Sequence, residues 1–315
     1  MTPLQRMTPA IRSVTARFSF CGLLGITYAT NALSQPASDE ARPAVPLTQI
    51  VATHFQSQQA IGHPLSLFAS EHSLSNRMAY RSQHLLAQMQ RTTPYPAGYK
   101  AALTSQAAQK RWGVSEAIYG TLNSNHLYSN SAVIHPKPNA MYLVELELGF
   151  ILASEHSEPF ADLASFQRSI KSVIPVVEIP EIHFAGKPKP VDIIASNVGA
   201  FIVISGIVIS GEPPFSAASL DGTGFSAHLA CDGSSVEQRI SLALDSAWQN
   251  AMHLANQVIE QGQTLHPEQL LLSGDLQPSP FRMTASRCIA NFTHQNSPSI
   301  TYTFSIEQDS PDSVK

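Results

Sequence analysis

The stretch that most constrains the fold is Met141-Tyr-Leu-Val-Glu-Leu-Glu-Leu-Gly-Phe-Ile-Leu152. Its alternation predicts a β-strand, in which residues two apart share a face and lie about 6.6 Å from one another. Glu145 and Glu147 then project together, while Val144, Leu146, Leu148 and Phe150 face a core. Glutamate is depleted in strands, and two like charges side by side repel unless water or a cation separates them. A second run, Ile174-Pro-Val-Val-Glu-Ile-Pro180, sets Glu178 among Val176, Val177 and Ile179. An ionised carboxylate in so apolar a strand has to be paired, protonated or bound to metal. Two readings stand at this point. Either Glu145 and Glu147 form the wet face of an amphipathic strand, or the three acidic residues converge on a hard divalent cation such as Mg²⁺.

The chain has 315 residues, a formal net charge of −4 and only 13% charged residues. That length fits one large or two small globular domains, and the low charge leaves Ser, Thr, Asn, Gln and His to cover much of the surface. The slight acidity and the lack of a basic run argue against nucleic acid as a partner. No Gly-rich phosphate loop, Cys/His metal spacing or Gly-x-Ser-x-Gly elbow occurs, which removes several common enzyme classes.

Residues 1–34 read as an export signal. Arg6, Arg12 and Arg17 supply a basic lead, residues 18–29 are apolar apart from small hydroxyls, and Ala32-Leu33-Ser34 offers small residues to a signal peptidase. An Arg- and Ser-rich mitochondrial-type presequence is the rival reading. The apolar run is too short for a comfortable transmembrane helix, so no stable membrane anchor is expected after its removal. Export predicts a periplasmic or secreted protein. Cys231 and Cys288 would then be the cysteines left, either as one bridge or as two buried thiols.

Residues 35–46 read as a linker and 47–92 as a helical segment. Ile50, Val51, Phe55 and Ile61 repeat at helix spacing, His63-Pro-Leu breaks the run, and a second helix starts at residues 73–75, turning Met78, Ala79, Leu85, Leu86 and Met89 inward. Residues 92–98 form a loop, 99–103 a short strand and 104–113 a helical turn stopped by Gly113. Beyond Met141 the pattern turns to β. Residues 200–209 suit a strand buried on both faces, and 225–231, 270–276, 288–292 and 300–304 suit further strands. The one strong later helix, 241–261, carries Leu244, Ala247, Trp248, Ala251, Leu254, Ala255 and Val258 on one stripe. Residues 307–315 read as a disordered tail.

Gly98-Tyr-Lys-Ala-Ala-Leu-Thr-Ser-Gln-Ala-Ala-Gln109, followed by Trp112-Gly-Val-Ser and Tyr119-Gly-Thr-Leu122, resembles the 2-keto-4-pentenoate hydratases of the fumarylacetoacetate hydrolase superfamily, whose close relatives include the 4-oxalocrotonate decarboxylases. Glu145-Leu-Glu147 falls at that family's Glu-x-Glu and Glu178 at its third metal carboxylate. Ala195-Ser-Asn-Val-Gly-Ala200 resembles its Ala-Asp-Asn segment, and Leu271-Leu-Ser-Gly274 its late Leu-Thr-Gly. The resemblance implies an α+β fold: a mixed β roll of the fumarylacetoacetate hydrolase C-terminal-domain type over residues 93–306, with flanking helices and the N-terminal helical segment.

It also implies Mg²⁺ or Mn²⁺ held by Glu145, Glu147 and Glu178. Lys100 and Glu178 would then be catalytic, with Lys100, Ser196 and Ser273 toward the substrate. Without the resemblance, Lys100 reads as a solvated surface lysine. The implied activity is that of a metal-dependent, hydratase-like lyase acting on a short 2-hydroxydienoate or 2-oxo acid. The alternatives are an exported non-catalytic relative that binds small organic acids, or a 2-oxo acid decarboxylase. A homo-oligomer is also implied, since family members commonly assemble.

Several positions depart from the family. Ile179-Pro-Glu-Ile-His183 lacks the family's Arg after the third carboxylate, Ser196 replaces an Asp, Ala102 replaces a Gly, and Asp275 is unusual after Ser273-Gly274. The histidines, His126 among them, are scattered without ligand spacing and read as surface or satisfied core groups. His183 stands out as a replacement acid or base, with Glu181 as its local partner.

Overall fold

The computed structural model describes residues 45–206, 215–216, 225–232, 238–241, 244–277, 281–283, 287–294 and 297–307. The expected export signal, most of the linker, nearly all of the tail and the last part of the expected strand 200–209 lie outside the described residues. The helices are α1 Leu47–Ala60, α2 Phe68–Glu71, α3 Asn76–Gln90, α4 Gln106–Trp112, α5 Leu163–Arg168, α6 Pro190–Ala195 and α7 Leu244–Glu260. The first strands are β1 Gly98–Ala102, β2 Ile118–Leu122, β3 Leu127–Tyr128, β4 Ser131–Ile134, β5 Met141–Leu152, β6 Ile170–Ile179, β7 Glu181–Ile182 and β8 Ile202–Ile204. After them come β9 Phe215–Ser216, β10 Phe225–Cys231, β11 Gln238–Ser241, β12 Leu270–Leu272, β13 Phe281–Arg282, β14 Arg287–His294 and β15 Ser297–Ile306.

The larger sheet runs β2-β1-β12-β5-β6-β8-β3, with β7 and β13 added to β5 and β9 to β6. Its pairs are antiparallel except β1 with β12 and β3 with β8, which makes it a mixed sheet. The second sheet runs β11-β10-β14-β15-β4. In it Cys231 stands directly opposite Cys288, and the two form a disulfide.

Alternation along β5 decides which side chains meet which core. Val144, Leu146, Leu148 and Phe150 are all fully buried in the larger apolar core. Phe150 packs on Trp248 of α7 at 4.6 Å between ring centroids. Every residue of the expected α7 stripe is buried, and full burial of a large apolar side chain contributes about 1.5–3 kcal/mol. The opposite face of the same sheet holds a smaller apolar cluster of Leu122, Ile151, Ile174, Val176, Val203, Leu270 and Leu272. Gly149 sits on that inner face, where an added Cβ would come within 2.6 Å of Leu270. Such close approach lets the strands curl round a narrow interior.

Pro175 interrupts β6 in mid-strand, where a missing N–H normally costs a ladder bond. It faces Leu148 on β5, but on its other edge, among the described residues, β6 pairs with β9 only at residues 172–173 and with β8 only at 177–179. The Pro175 carbonyl points into that gap and accepts a hydrogen bond from Tyr302 Oη of the second sheet at 3.0 Å.

The N-terminal segment holds two longer helices, as expected, and Ser75 caps α3 by accepting from Met78 N–H. Its inward stripe is narrower than expected: Ile50 is 43% exposed, Ile61 64% and Met89 37%. Of the expected residues Val51 and Phe55 on α1 and Ala79 and Leu86 on α3 are fully buried, and Ala52 and Gln83, which the spacing did not single out, join them. Gln83 is fully buried and donates to the carbonyls of Tyr119 at 2.8 Å and Ile194 at 2.9 Å, fastening α3 to β2 and α6.

Burial on α3 lowers the His84 pKa to about 4. The unfolded value is higher, so the neutral folded form adds stability above about pH 6.5 that is lost as pH falls toward 4. Urea midpoints at pH 7 and pH 5 should therefore show a loss on the order of 1–2 kcal/mol in the wild type that is smaller in His84→Gln. An equal loss in both proteins would contradict this.

Candidate active site

Glu145 on β5 is the direct cross-strand partner of Glu178 on β6, and Glu147 lies one pleat further along the same face. Carboxylate oxygens of the three lie within 4.8 Å of one another. Glu147 and Glu178 are fully buried and Glu145 partly so, which rules out the wet-face reading for this run. Lys100 on β1 is 1% exposed and reaches across the interior to an ion pair with Glu178. The expectation of a solvated lysine there fails for the same reason.

Like charges at this density have to be compensated. Burial, with the Glu178 carboxylate second, pushes Glu145 up to about 8. Burial raises Glu147 well above the usual carboxylate range, with Glu178 and Glu145 adding to it. Burial also raises Glu178, although Lys100 pulls the other way. For Lys100, burial opposes the charged ammonium, but Glu178, Glu145 and Glu147 outweigh it and hold its pKa above the ordinary value. Among the described residues Oε1 of Glu147 and Oε2 of Glu178 have no hydrogen-bond partner. Buried, unpartnered anionic oxygens converging on one point fit a hard divalent cation.

Local backbone explains the aim of these side chains. β12 pairs with β5 only at residues 149–151 and β13 only at 143–144. Residues 273–277 bridge the gap beside the carboxylates. The Ser273 N–H donates to the Leu148 carbonyl and Ser273 Oγ accepts from the Leu148 N–H at 3.2 Å. The Gly274 N–H donates to Glu147 Oε2 at 3.0 Å. Gly274 has φ +82°, and a Cβ there would approach Thr104 to 2.5 Å, so glycine is required.

The other expected site residues fall elsewhere. Ser273 Oγ also donates to the Gly274 carbonyl, so its hydroxyl supports the strand that carries Glu147. Ser196 Oγ donates to the Ile193 carbonyl, and its own carbonyl accepts from Gln59. Ser196 lines a separate polar cavity of about 480 Å³, as do His183 and Glu181. Glu181 does not pair with His183 as expected; it binds Lys137 Nζ at 2.8 Å and Tyr142 Oη at 3.1 Å.

Two residues near the cluster were not singled out as functional from the sequence. Asp275 repels Glu145, Glu147 and Glu178, its own pKa is pushed up to about 7 by burial, and its Oδ2 has no partner among the described residues. His126 is buried close enough to Lys100 for their charges to interact.

No family model matches the chain. In structure it is similar to the 4-oxalocrotonate decarboxylase of Pseudomonas putida G7, solved with magnesium and adipate, at TM-score 0.69 and 19% identity over 82% of this chain and 97% of that one. The fold is therefore the one that decarboxylase has. In sequence the chain is 28% identical over 183 residues to a 2-keto-4-pentenoate hydratase of Paraburkholderia xenovorans (strain LB400), covering 58% of this chain and 66% of the relative. A second 2-keto-4-pentenoate hydratase, from Burkholderia vietnamiensis (strain G4), is 27% identical over 213 residues, 64% of this chain and 76% of the relative. The chain is thus similar in sequence to 2-keto-4-pentenoate hydratases, and its match spans slightly less than two thirds of the length of the first.

A carboxylate whose folded pKa is raised contributes stability at low pH that is lost as pH rises through the folded value. For Glu145 that window runs from about 4.5 to about 8. With a chelator present, Glu145→Gln should flatten the fall in melting temperature between pH 5 and pH 8. A steeper fall in the variant would contradict this charge balance.

Proposed function

We propose that the protein is a divalent-metal-dependent lyase acting on a short 2-oxo acid or 2-hydroxydienoate, with hydration of the distal double bond as its reaction. The reading is carried by one observation, the convergence of Glu145, Glu147 and Glu178 with Lys100 inside the roll. It draws support from the activity for which the sequence relatives are named and from the magnesium or calcium present in the solved decarboxylase. Glu145, Glu147 and Glu178 would hold the ion. When bound, such an ion supplies a Lewis acid that gathers the substrate's carboxylate and 2-oxo or enol oxygens and stabilises negative charge there.

The chain's own residues do the rest. Lys100 Nζ carries positive charge into a dry interior, where attraction to a substrate carboxylate is far stronger than in water. Its contact with Glu178 allows a proton to pass between ammonium and carboxylate without crossing bulk solvent. In the overall addition one O–H bond of water and the enol O–H bond break, the hydroxyl joins C4 of the dienoate, and the two protons released go to C3 and C5 as the enol becomes the 2-oxo group. The apolar walls formed by Leu122, Ile174, Val176 and Leu272 keep other water away. Export, expected from residues 1–34, would place this activity outside the cytoplasm.

Purified protein with Mg²⁺ or Mn²⁺ should remove the dienol absorbance of 2-hydroxypenta-2,4-dienoate faster than the spontaneous rate. Glu147→Gln and Lys100→Met should each lower that rate by about 100-fold or more, as loss of a charge acting on the transition state does. Glu147→Gln should also lose the rise in melting temperature that either cation gives the wild type. Full activity in both variants would remove the proposal.

A further inference from the structure

Residues 273–277 run along β5 beside the two glutamates of that strand, and Asp275 stands in the middle of them. Before it, the Gly274 N–H donates to Glu147 Oε2 at 3.0 Å; after it, the Leu276 N–H donates at 3.1 Å to the carbonyl of Leu146, the residue between Glu145 and Glu147. Pinned on both sides, the backbone holds the Asp275 carboxylate where it repels all three glutamates. Gln277 then fixes the carboxylate itself. Oδ1 of Asp275 accepts from the Gln277 N–H at 3.0 Å and from Gln277 Nε2 at 3.1 Å, and the same Nε2 donates to the Val144 carbonyl on β5 at 3.1 Å. With Oδ1 so engaged, Oδ2 is left shielded from solvent and without a partner among the described residues.

A charge count shows what this fourth acid adds. Three glutamates and the Lys100 ammonium leave two negative charges, which one divalent cation neutralises. Ionised Asp275 adds a third, and the donors around it, two from Gln277 and the Leu146 N–H, favour that ionised form. An asparagine would accept from Gln277 equally well without repelling three carboxylates, so the Gln277 bonds do not account for the charge. The three glutamate oxygens lie within 4.8 Å of one another without Asp275, which therefore acts on an ion there through its charge and not as one of the converging ligands.

We propose that Asp275 is a fourth acid of the cation site, fixed there by Gln277, and that its charge tilts the site toward cations of higher charge. The inference rests on the proposed function and assigns Asp275 as the residue that sets the cation preference of that site. Attraction scales with the product of the charges, so one added carboxylate strengthens the hold on a trivalent ion half as much again as on a divalent ion of the same size. The number of charged groups tunes affinity at oxygen-lined cation sites in the same sense.

The test measures Ca²⁺ and Tb³⁺, ions of nearly equal size, by calorimetry with the full chain, counting as the site's own the binding that Glu147→Gln abolishes. Asp275→Asn keeps an oxygen for Gln277 and removes the charge. It should lower Ca²⁺ affinity about 10-fold, the lower end of what losing a group around a metal's ligands costs. Tb³⁺ affinity should fall about 30-fold, because the logarithm of the loss scales with the charge of the cation. Without cation the variant should melt no lower than the wild type, since it sheds a repulsion and keeps the bonds from Gln277. Unchanged affinities in Asp275→Asn, an equal loss for both ions, or a lower melting temperature without cation would overturn the inference alone. Binding of neither ion by the wild type would overturn it together with the proposed function.

Discussion

Four charged side chains packed into one narrow interior govern the rest of the molecule: three carboxylates and the single ammonium of Lys100. Removing an ion from water costs several kcal/mol even after relaxation, and removal is repaid only where geometry and partners are good. Here one pair, Lys100 with Glu178, is made directly, and two carboxylates are left over. A fold selected for stability alone would have filled these positions with the Val, Ile and Leu that surround them. Keeping the acids makes sense where a cation completes the balance, and stability is then given up for function.

The surrounding architecture serves that arrangement. Two adjacent antiparallel strands set Glu145 opposite Glu178 by register alone. The third acid is steadied where the sheet is incomplete, since residues 273–277 replace ladder bonds that β12 and β13 do not make. Pro175 fits mid-strand because no strand among the described residues pairs with it on the edge away from β5, and Tyr302 of the second sheet supplies a hydrogen bond to its carbonyl. Helix α3 lies behind, with Gln83 tying it to β2 and so to the strand that runs beside Lys100.

Period and motif made much of this legible in the sequence. The two-residue alternation of β5 placed Glu145 and Glu147 on one face and its four apolar residues in the core, and the α7 stripe was readable at helix spacing. Other features depend on contacts between distant segments, which spacing does not encode. Cys231 and Cys288 are 57 residues apart, and strand register alone brings them face to face. Asp275 gains its importance from a loop that crosses a gap in the sheet. Ile50, Ile61 and Met89 sit at helix spacing but on a side that the neighbouring elements leave uncovered. Ser196 and Ser273, aligned with functional segments of the family, turn their hydroxyls to backbone carbonyls.

Anomalous diffraction from crystals soaked with Mn²⁺ addresses the central claim most directly. A single strong peak is predicted within bonding distance of oxygens from Glu145, Glu147 and Glu178, with Lys100 displaced little from Glu178. A peak elsewhere, or none between these three side chains at saturating Mn²⁺, would contradict the account.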